Sequence, residues 1–423
     1  MVSAITLIPK PARAQNKGTD TAPDTLRLTL QQAEQLFLEN NYLLLAQKFN
    51  INTSEAAVEQ AKLWSNPVFS FESVAYNPHT KKAFDYSNNT PQTGQYILQI
   101  QQMVSLAAQR SKLVRMAETN TALQRLAFDD LMRTLRRQLH AAFFDLASEQ
   151  RKVALYTTES LRLGQLMEAQ RTALRSGAIS GYELTRLEVE QQSLNMEIAA
   201  RTQTILSLSA DFKLLTAIPA GTVPVPLTPE PKATLLPLAN IAMDSAIANR
   251  PDIKAAKTQV LYQNRNLSYQ RSLAVPNLTL GAVYDKFGSA FNNYTGVSAS
   301  FDIPFLNRNQ GNIQAAGIGI KAAEAGSLYA EQEVRNQVFA ALQQLQLARN
   351  QYLGISPELR ASLNQISAAA ISDYNKRIIS LIDFIDKIRT ARTARLNEAD
   401  MRNNYLQAID NFESVTNTAF FRK

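Results

Sequence analysis

Hydrophobic positions along the chain follow two rhythms, one helical and one strand-like, and the switch between them happens twice. Residues 29–40 and 43–64 carry a helical period that stops at Ser65-Asn66-Pro67, where proline removes an amide donor and bars the helical conformation from the residue before it. The period then becomes two. Phe69, Phe71, Ser73 and Ala75 alternate with Ser70, Glu72 and Val74, and Tyr96, Leu98 and Ile100 alternate with Gln99 and Gln101, which predicts strands over 68–76 and 95–104 joined by a polar loop, 77–93. From Leu106 to Leu174 no proline intervenes. Phe128, Leu131, Leu135, Leu139, Ala142 and Leu146 step by three and four, the spacing of a helix packed along a coiled-coil seam. The chain reverses at Ser176-Gly177-Ala178, where glycine can take the left-handed conformation, and returns from Ser180 to Thr216.

The same layout follows a second time. Pro276 repeats the helix-to-strand switch of Pro67, strands are predicted over 277–285 and 295–303, and a second hairpin runs over 309–418, interrupted at Gly354-Ile355-Ser356-Pro357. At a constant offset of 200, Leu106 matches Leu306, Ser180 matches Ser380, Glu183 matches Asp383 and Leu184 matches Phe384. The chain therefore divides into repeat 1 (26–218), a proline-rich linker (219–237) that should lie extended, and repeat 2 (238–419). Residues 1–25 are read as disordered or as the remnant of a secretory signal, because the apolar Val2–Ile8 stretch precedes Ala12-Arg13-Ala14 without a basic leader.

In the second-repeat strands Leu278, Leu280, Ala282 and Tyr284 oppose Thr279 and Gly281, while Val297, Ala299, Phe301 and Ile303 oppose Gly296, Ser298, Ser300 and Asp302. One apolar face and one small or polar face suits a lipid-facing barrel, although a half-buried soluble sheet alternates in the same way. Closure separates the two cases. A membrane sheet has no water to satisfy its edges, and bacterial barrels start at about eight strands, so four strands that meet lipid must be pooled from several chains. Long helical pairs with a seam on each flank ask for the same ring of neighbours. The predicted fold is mainly α with a small membrane β-barrel contribution: four strands and two long coiled-coil hairpins per chain, assembled as a trimeric α/β-barrel tunnel.

Three runs carry a family resemblance: Asn249-Arg250-Pro251-Asp252-Ile253 opening the second repeat, Asp302-Ile303-Pro304-Phe305-Leu306-Asn307-Arg308-Asn309-Gln310-Gly311-Asn312-Ile313 between strand and helix, and Ser176-Gly177-Ala178-Ile179-Ser180 at the first tip. With them the chain resembles the TolC family of outer-membrane efflux proteins over Leu28 to Asn417, and its Asn-Arg-Asn-Gln-Gly run is most similar to the heavy-metal-efflux branch of the CzcC/CusC type. The resemblance implies a homotrimer in the outer membrane with a twelve-stranded barrel and a periplasmic helical barrel. It also implies a passive exit duct working with a periplasmic adaptor and an inner-membrane pump, of the resistance-nodulation-division (RND) type.

Asp383 and Asp386, three apart on one helical face after the second tip, match the family's acidic constriction at the periplasmic entrance. In a trimer they would form two rings of three carboxylates favouring cations. Near the two tips Glu183, Arg186, Lys376 and Arg377 are candidates for a gate latch in which Lys376 and Arg377 pair with Glu183 or another first-hairpin group, with spacing that departs from the family's latch pattern. Gly177, Ser180 and Ser380 read as hairpin-tip turns and caps where an adaptor would dock. Pro304, Asn307, Arg308, Asn309, Gln310 and Gly311 read as helix-start capping and inter-chain hydrogen bonding.

Composition narrows the alternatives. The chain has 45% apolar residues, a net charge of +8 and no cysteine, which closes disulfide, thiolate-metal and acyl-cysteine chemistry. Lys and Arg are mixed with Asp and Glu along the helices without a basic cluster, against nucleic-acid binding. His79 and His140 are the two histidines, and no metal-ligand spacing, cofactor motif, phosphate loop or nucleophile elbow occurs, so no enzyme is expected. A channel of a type I protein secretion system is the alternative of the same build. A periplasmic adaptor, with one hairpin per chain and β-rich flanking domains, fits less well.

Overall fold

A computed structural model describes residues 24–78, 80–85, 94–287 and 292–421. The signal-like segment, His79 and parts of both strand-connecting loops lie outside the described residues. In chain order the elements are β1 (Thr25–Thr29), α1 (Leu30–Asn40), α2 (Tyr42–Lys62), β2 (Val68–Ser73), the two-residue strands β3 (Tyr76–Asn77) and β4 (Lys82–Ala83), β5 (Tyr96–Val104), α3 (Gln109–Arg175), α4 (Gly181–Thr216) and β6 (Val223–Leu227). Then come α5 (Ala239–Asn249), α6 (Pro251–Leu273), β7 (Leu278–Lys286), β8 (Tyr294–Phe301), α7 (Gln310–Leu353), α8 (Pro357–Asn375) and α9 (Leu381–Thr416).

The repeat is visible in caps as well as in lengths. α4 and α9 each have 36 residues, begin after a capping serine (Ser180, Ser380) and end on a left-handed residue, Ala217 at φ 54° and Asn417 at φ 49°. α3 and α7 each begin after a left-handed residue, Ala108 at φ 54° and Asn309 at φ 59°. Asn41, between α1 and α2, donates its amide to the Leu215 carbonyl at 3.0 Å, and Arg250, between α5 and α6, donates to the Val415 carbonyl at 3.2 Å. Arg250 is buried, forks onto Asp252 and reaches Gln337, so the Asn-Arg-Pro-Asp-Ile run is a rivet between α5, α6, α7 and α9.

α3, at 67 residues, spans about 100 Å at 1.5 Å rise per residue, a length no single core could cover. Three apolar clusters therefore succeed one another along the helices. Leu139, Phe143 and Phe212 centre the first, in repeat 1, Val338, Leu345, Tyr405 and Phe412 the second, in repeat 2, and Leu187, Leu194, Phe384 and Ile388 join the two hairpins. The predicted seam holds: Leu135, Leu139, Ala142 and Leu146 are buried and Phe128 and Leu131 pack against them. The break at Gly354–Ser356 separates α7 from α8, with Ser356 capping the new helix and Pro357 at its first turn.

The strands form one antiparallel sheet in the order β2-β5-β7-β8, with β2 and β8 as edges. Its register keeps the two faces apart. Phe69, Ile100, Ala282 and Val297 share one rung and Phe71, Leu98, Tyr284 and Thr295 another, all on the apolar face. Val68, Gln101, Gly281 and Ser298, and Ser70, Gln99, Val283 and Gly296, share rungs on the other, mostly polar or small face. Two features differ from the sequence expectation. The linker contributes β6, which pairs in parallel with β1 from Thr25↔Val223 to Thr29↔Leu227, so Thr25, the last residue of the segment read as disordered, stands in a strand. The polar loop holds the small β3–β4 hairpin.

Candidate functional site

The helical layer directly below the sheet runs α2-α3-α6-α7, in the same order as the strands those helices feed. α2 and β2 are exposed at one edge, α7 and β8 at the other. Among the described residues no helix is long and apolar enough to cross a membrane. Val68, Phe69, Phe71, Val297 and Phe301 are all exposed.

At the far end the two hairpin turns meet. In the first, Gly177 at φ 70° lets its N–H bond the Leu174 carbonyl while Ala178 N–H bonds Ala173, at 3.0 and 2.9 Å. In the second, Arg377 takes the same left-handed position at φ 56°, with Arg377 N–H on Tyr374 and Ile378 N–H on Asp373, both at 2.9 Å. Ser180 and Ser380 cap the return helices, accepting from Glu183 N–H at 3.3 Å and Asp383 N–H at 3.1 Å.

Asp383 and Asp386 are both exposed on the first turns of α9. Asp383 is part of a capping box, its carboxylate accepting from Ser380 Oγ at 2.7 Å and Ser380 N–H at 3.3 Å. Those hydrogen bonds, with Lys387 nearby, hold its carboxyl below the ordinary Asp range, so the group is charged across the physiological range.

Of the four latch residues, Glu183 makes the contact between hairpins, accepting from the Tyr374 hydroxyl at 3.4 Å. Tyr374 stacks on Phe384 at 4.9 Å, and burial, then the Glu183 charge, push its phenol up to about 12. Arg186 lies 6.0 Å over the Tyr182 ring, and Lys376 closes α8 through its N–H on Ser372. Among the described residues no ion pair joins Glu183 to Lys376 or Arg377. The charged tie between hairpins lies deeper. Glu190 on α4 receives Arg389 and Arg392 of α9, and Arg392 also lies 3.3 Å from Glu159 on α3. Sequence reading missed this cluster because its partners are separated by about 200 residues.

At the sheet's foot the strand-to-helix loop is self-braced. Asn307 Oδ1 accepts from Asn309 N–H at 3.0 Å, Gln310 Oε1 accepts from Arg308 N–H at 2.8 Å, and Asn309 donates to the Gln270 carbonyl at 2.8 Å. Pro304 precedes this brace, Gly311 is the second residue of α7, where an added Cβ would meet nothing within 4 Å, and Pro67 and Pro276 lie one residue before β2 and two before β7. Among the described residues no group of three or more His, Asp or Glu side chains is placed to hold a metal ion. The candidate site thus has two ends: a sheet end with a sided register, and a tip end where Glu183, Asp383 and Asp386 lie on the first turns of the return helices.

The family model for outer membrane efflux proteins matches residues 242–418. The chain is 22% identical to the cobalt-zinc-cadmium resistance protein CzcC of Cupriavidus metallidurans, covering 92% of this chain and 90% of that protein. The fold is that of the CmeC outer membrane channel of Campylobacter jejuni, at TM-score 0.76 and 14% identity over 92% of this chain and 86% of that one. It is also that of CusC, at TM-score 0.72 and 16% identity over 92% and 91%. The match to the outer membrane efflux protein model fills the second repeat, and the sided four-stranded sheet and paired hairpins built across both repeats give the chain the fold of these outer membrane channels.

Proposed function

We propose that three copies of this chain close into a tunnel whose twelve-stranded barrel sits in the outer membrane and whose helices extend through the periplasm. The observation that carries this reading is the coincidence of open edges. β2 and α2 are uncovered on one side, β8 and α7 on the other, so joining β8 to the β2 of a neighbour joins the helical layers in the same step.

Such a tunnel is an exit duct without chemistry of its own. A periplasmic adaptor would meet the hairpin tips around Gly177, Ser180 and Ser380, and an RND-type inner-membrane pump would supply the energy. Asp383 and Asp386 would line the entrance as two acidic rings, and cations would pass them more readily than anions. Similarity to a cobalt-zinc-cadmium resistance protein over nearly the whole chain favours divalent metal cations as cargo. With no metal-binding group among the described residues, metals would travel through without being held.

The test is reconstitution into planar bilayers combined with the mass of the detergent-solubilised particle. Cation-selective conductance from a three-copy particle is expected. A single-copy particle without conductance would overturn the reading.

A further inference from the structure

The chain contains one finished example of a joint that it leaves open at its own edges. Where repeat 1 meets repeat 2, β5 pairs with β7, and below that rung the start of α3 rests on the end of α6. Gln109 makes this joint: its side-chain amide donates to the carbonyls of Ser272 at 3.0 Å and Val275 at 2.9 Å. Gln109 and Ser272 are buried, and the apolar neighbours Leu106 and Leu273 are each 38% exposed.

The repeat supplies both halves of the joint again, on opposite edges of the molecule. Gln109 and Gln310 are the first residues of α3 and α7, so at the helix starts the equivalence runs one position beyond the offset of 200 that relates Leu106 to Leu306. Asn41 and Arg250 are the equivalent N-caps of α2 and α6, which makes Leu63, Trp64 and Asn66 the counterparts of Ser272, Leu273 and Val275. Among the described residues these halves stay open: Leu306 is 83% exposed against 38% for Leu106, Phe305 is 82% exposed, and Trp64 is 61% exposed.

Both open halves are braced. The Asn307, Asn309 and Gln310 hydrogen bonds hold the Phe305-Leu306 projection, and the Arg110 guanidinium sits 3.9 Å over one side of the Trp64 ring. Register fixes how they would approach. β2 begins and β8 ends at the sheet's foot, with Trp64 four residues before Val68 and Phe305 four residues after Phe301.

We infer that the Phe305–Gln310 loop of one copy docks on the Leu63–Asn66 turn of a second copy, with the Gln310 amide exchanging its 3.3 Å bond to the Leu306 carbonyl for the Leu63 and Asn66 carbonyls, and with Phe305 and Leu306 beside Trp64. The occupant is a second copy of this chain, because the internal joint shows the same polar key seated on the same carbonyl positions. This rests on the ring proposed above and names the contact that seals it. It also gives the inter-chain hydrogen bonding expected of the Asn-Arg-Asn-Gln-Gly run a specific partner, the Leu63–Asn66 turn.

The test uses the absence of cysteine from the chain. The double variant Leu63→Cys with Gln310→Cys is treated with a short bis-maleimide in detergent, after its particle mass has been measured. Within one copy the two positions lie at opposite edges of a four-helix layer, three helix spacings of roughly 8–10 Å apart, so a short linker joins them only between copies. Bands at two and three times the chain mass are expected on a denaturing gel, and each single variant should stay at one. A multi-copy particle that gives no covalent bands overturns the docking while leaving the ring intact, whereas a single-copy particle overturns both.

The unmodified chain gives a second readout, since Trp64 is its one tryptophan. In vesicles containing brominated phospholipid, weak quenching of its fluorescence is expected. Strong quenching would mean that lipid covers this turn and would overturn the docking.

Discussion

Glu190 on α4 lies 2.9 Å from Arg392 on α9, and this pair ties the two hairpins together about 15 Å behind their tips, ten residues along the helix. Arg392 is largely buried in the contact while Arg389, on the same carboxylate, is mostly exposed. Removing one partner of a buried pair leaves the other charge uncompensated. Arg392→Ala should therefore cost about 3 kcal/mol in denaturant unfolding followed by circular dichroism. Arg389→Ala should cost under about 1 kcal/mol. Equal losses would show that burial does not set the strength of this tie.

The same cluster sets a pH dependence. Burial alone would raise the Glu190 carboxyl, but hydrogen bonds from Arg389 and Arg392 outweigh it and hold the group below its usual range. Its stabilisation is thus fully present above the unfolded value of about 4.3 and is lost as pH falls through the lower folded value. Glu159 has the opposite sign: burial pushes it up, with Arg392 offsetting only part, so ionising it opposes folding as pH rises through that raised value. Urea midpoints between pH 3 and 7 should show that Glu190→Gln flattens the acid limb. Glu159→Gln should not lower the midpoint at pH 7, and a large drop would assign Glu159 a stabilising charge.

At the proposed entrance, charge and capping can be separated. Asp383→Ala with Asp386→Ala should raise conductance and weaken cation preference in planar bilayers. Asp383→Asn with Asp386→Asn keeps an acceptor for the Ser380 N–H, so it should lose the selectivity with less loss of helix order. Ser380→Ala should cost about 1 kcal/mol and leave selectivity in place. Unchanged selectivity in the double alanine variant would remove these carboxylates from the gate.

Inside the sheet, Gly281 marks a close approach. A Cβ there would lie 2.6 Å from Ser298 Oγ and 3.3 Å from the Ile100 carbonyl. Gly281→Val should lower both assembly yield and conductance, and adding Ser298→Gly should recover part of each. No recovery would locate the strain at the backbone.

Much of this architecture is legible in the residues because it is local or periodic. The α3–α4 turn is written in Gly177 and Ser180, and its second copy in Ser380, even though Arg377 hides the left-handed position that glycine marks in the first. The two faces of the sheet follow from alternation, which needs only the register to be in step. Other parts are not legible. β6 carries Pro224 and Pro226, which lack the amide donors that a strand normally shows, and its partner β1 lies about 200 residues away. Glu190 gives no sign of Arg392 for the same reason of distance, and its copy in the second repeat is Thr390, so the repeat does not announce it. At the tip it is Tyr374 that reaches Glu183, a contact between positions 191 residues apart that the turn sequence does not announce.

The account depends on closure of one chain's two edges by others. The most direct measurement is the mass of the particle extracted in mild detergent, by light scattering or native mass spectrometry. Three copies per particle are predicted, with no stable species in the absence of detergent. A monodisperse single chain that stays soluble without detergent would contradict it.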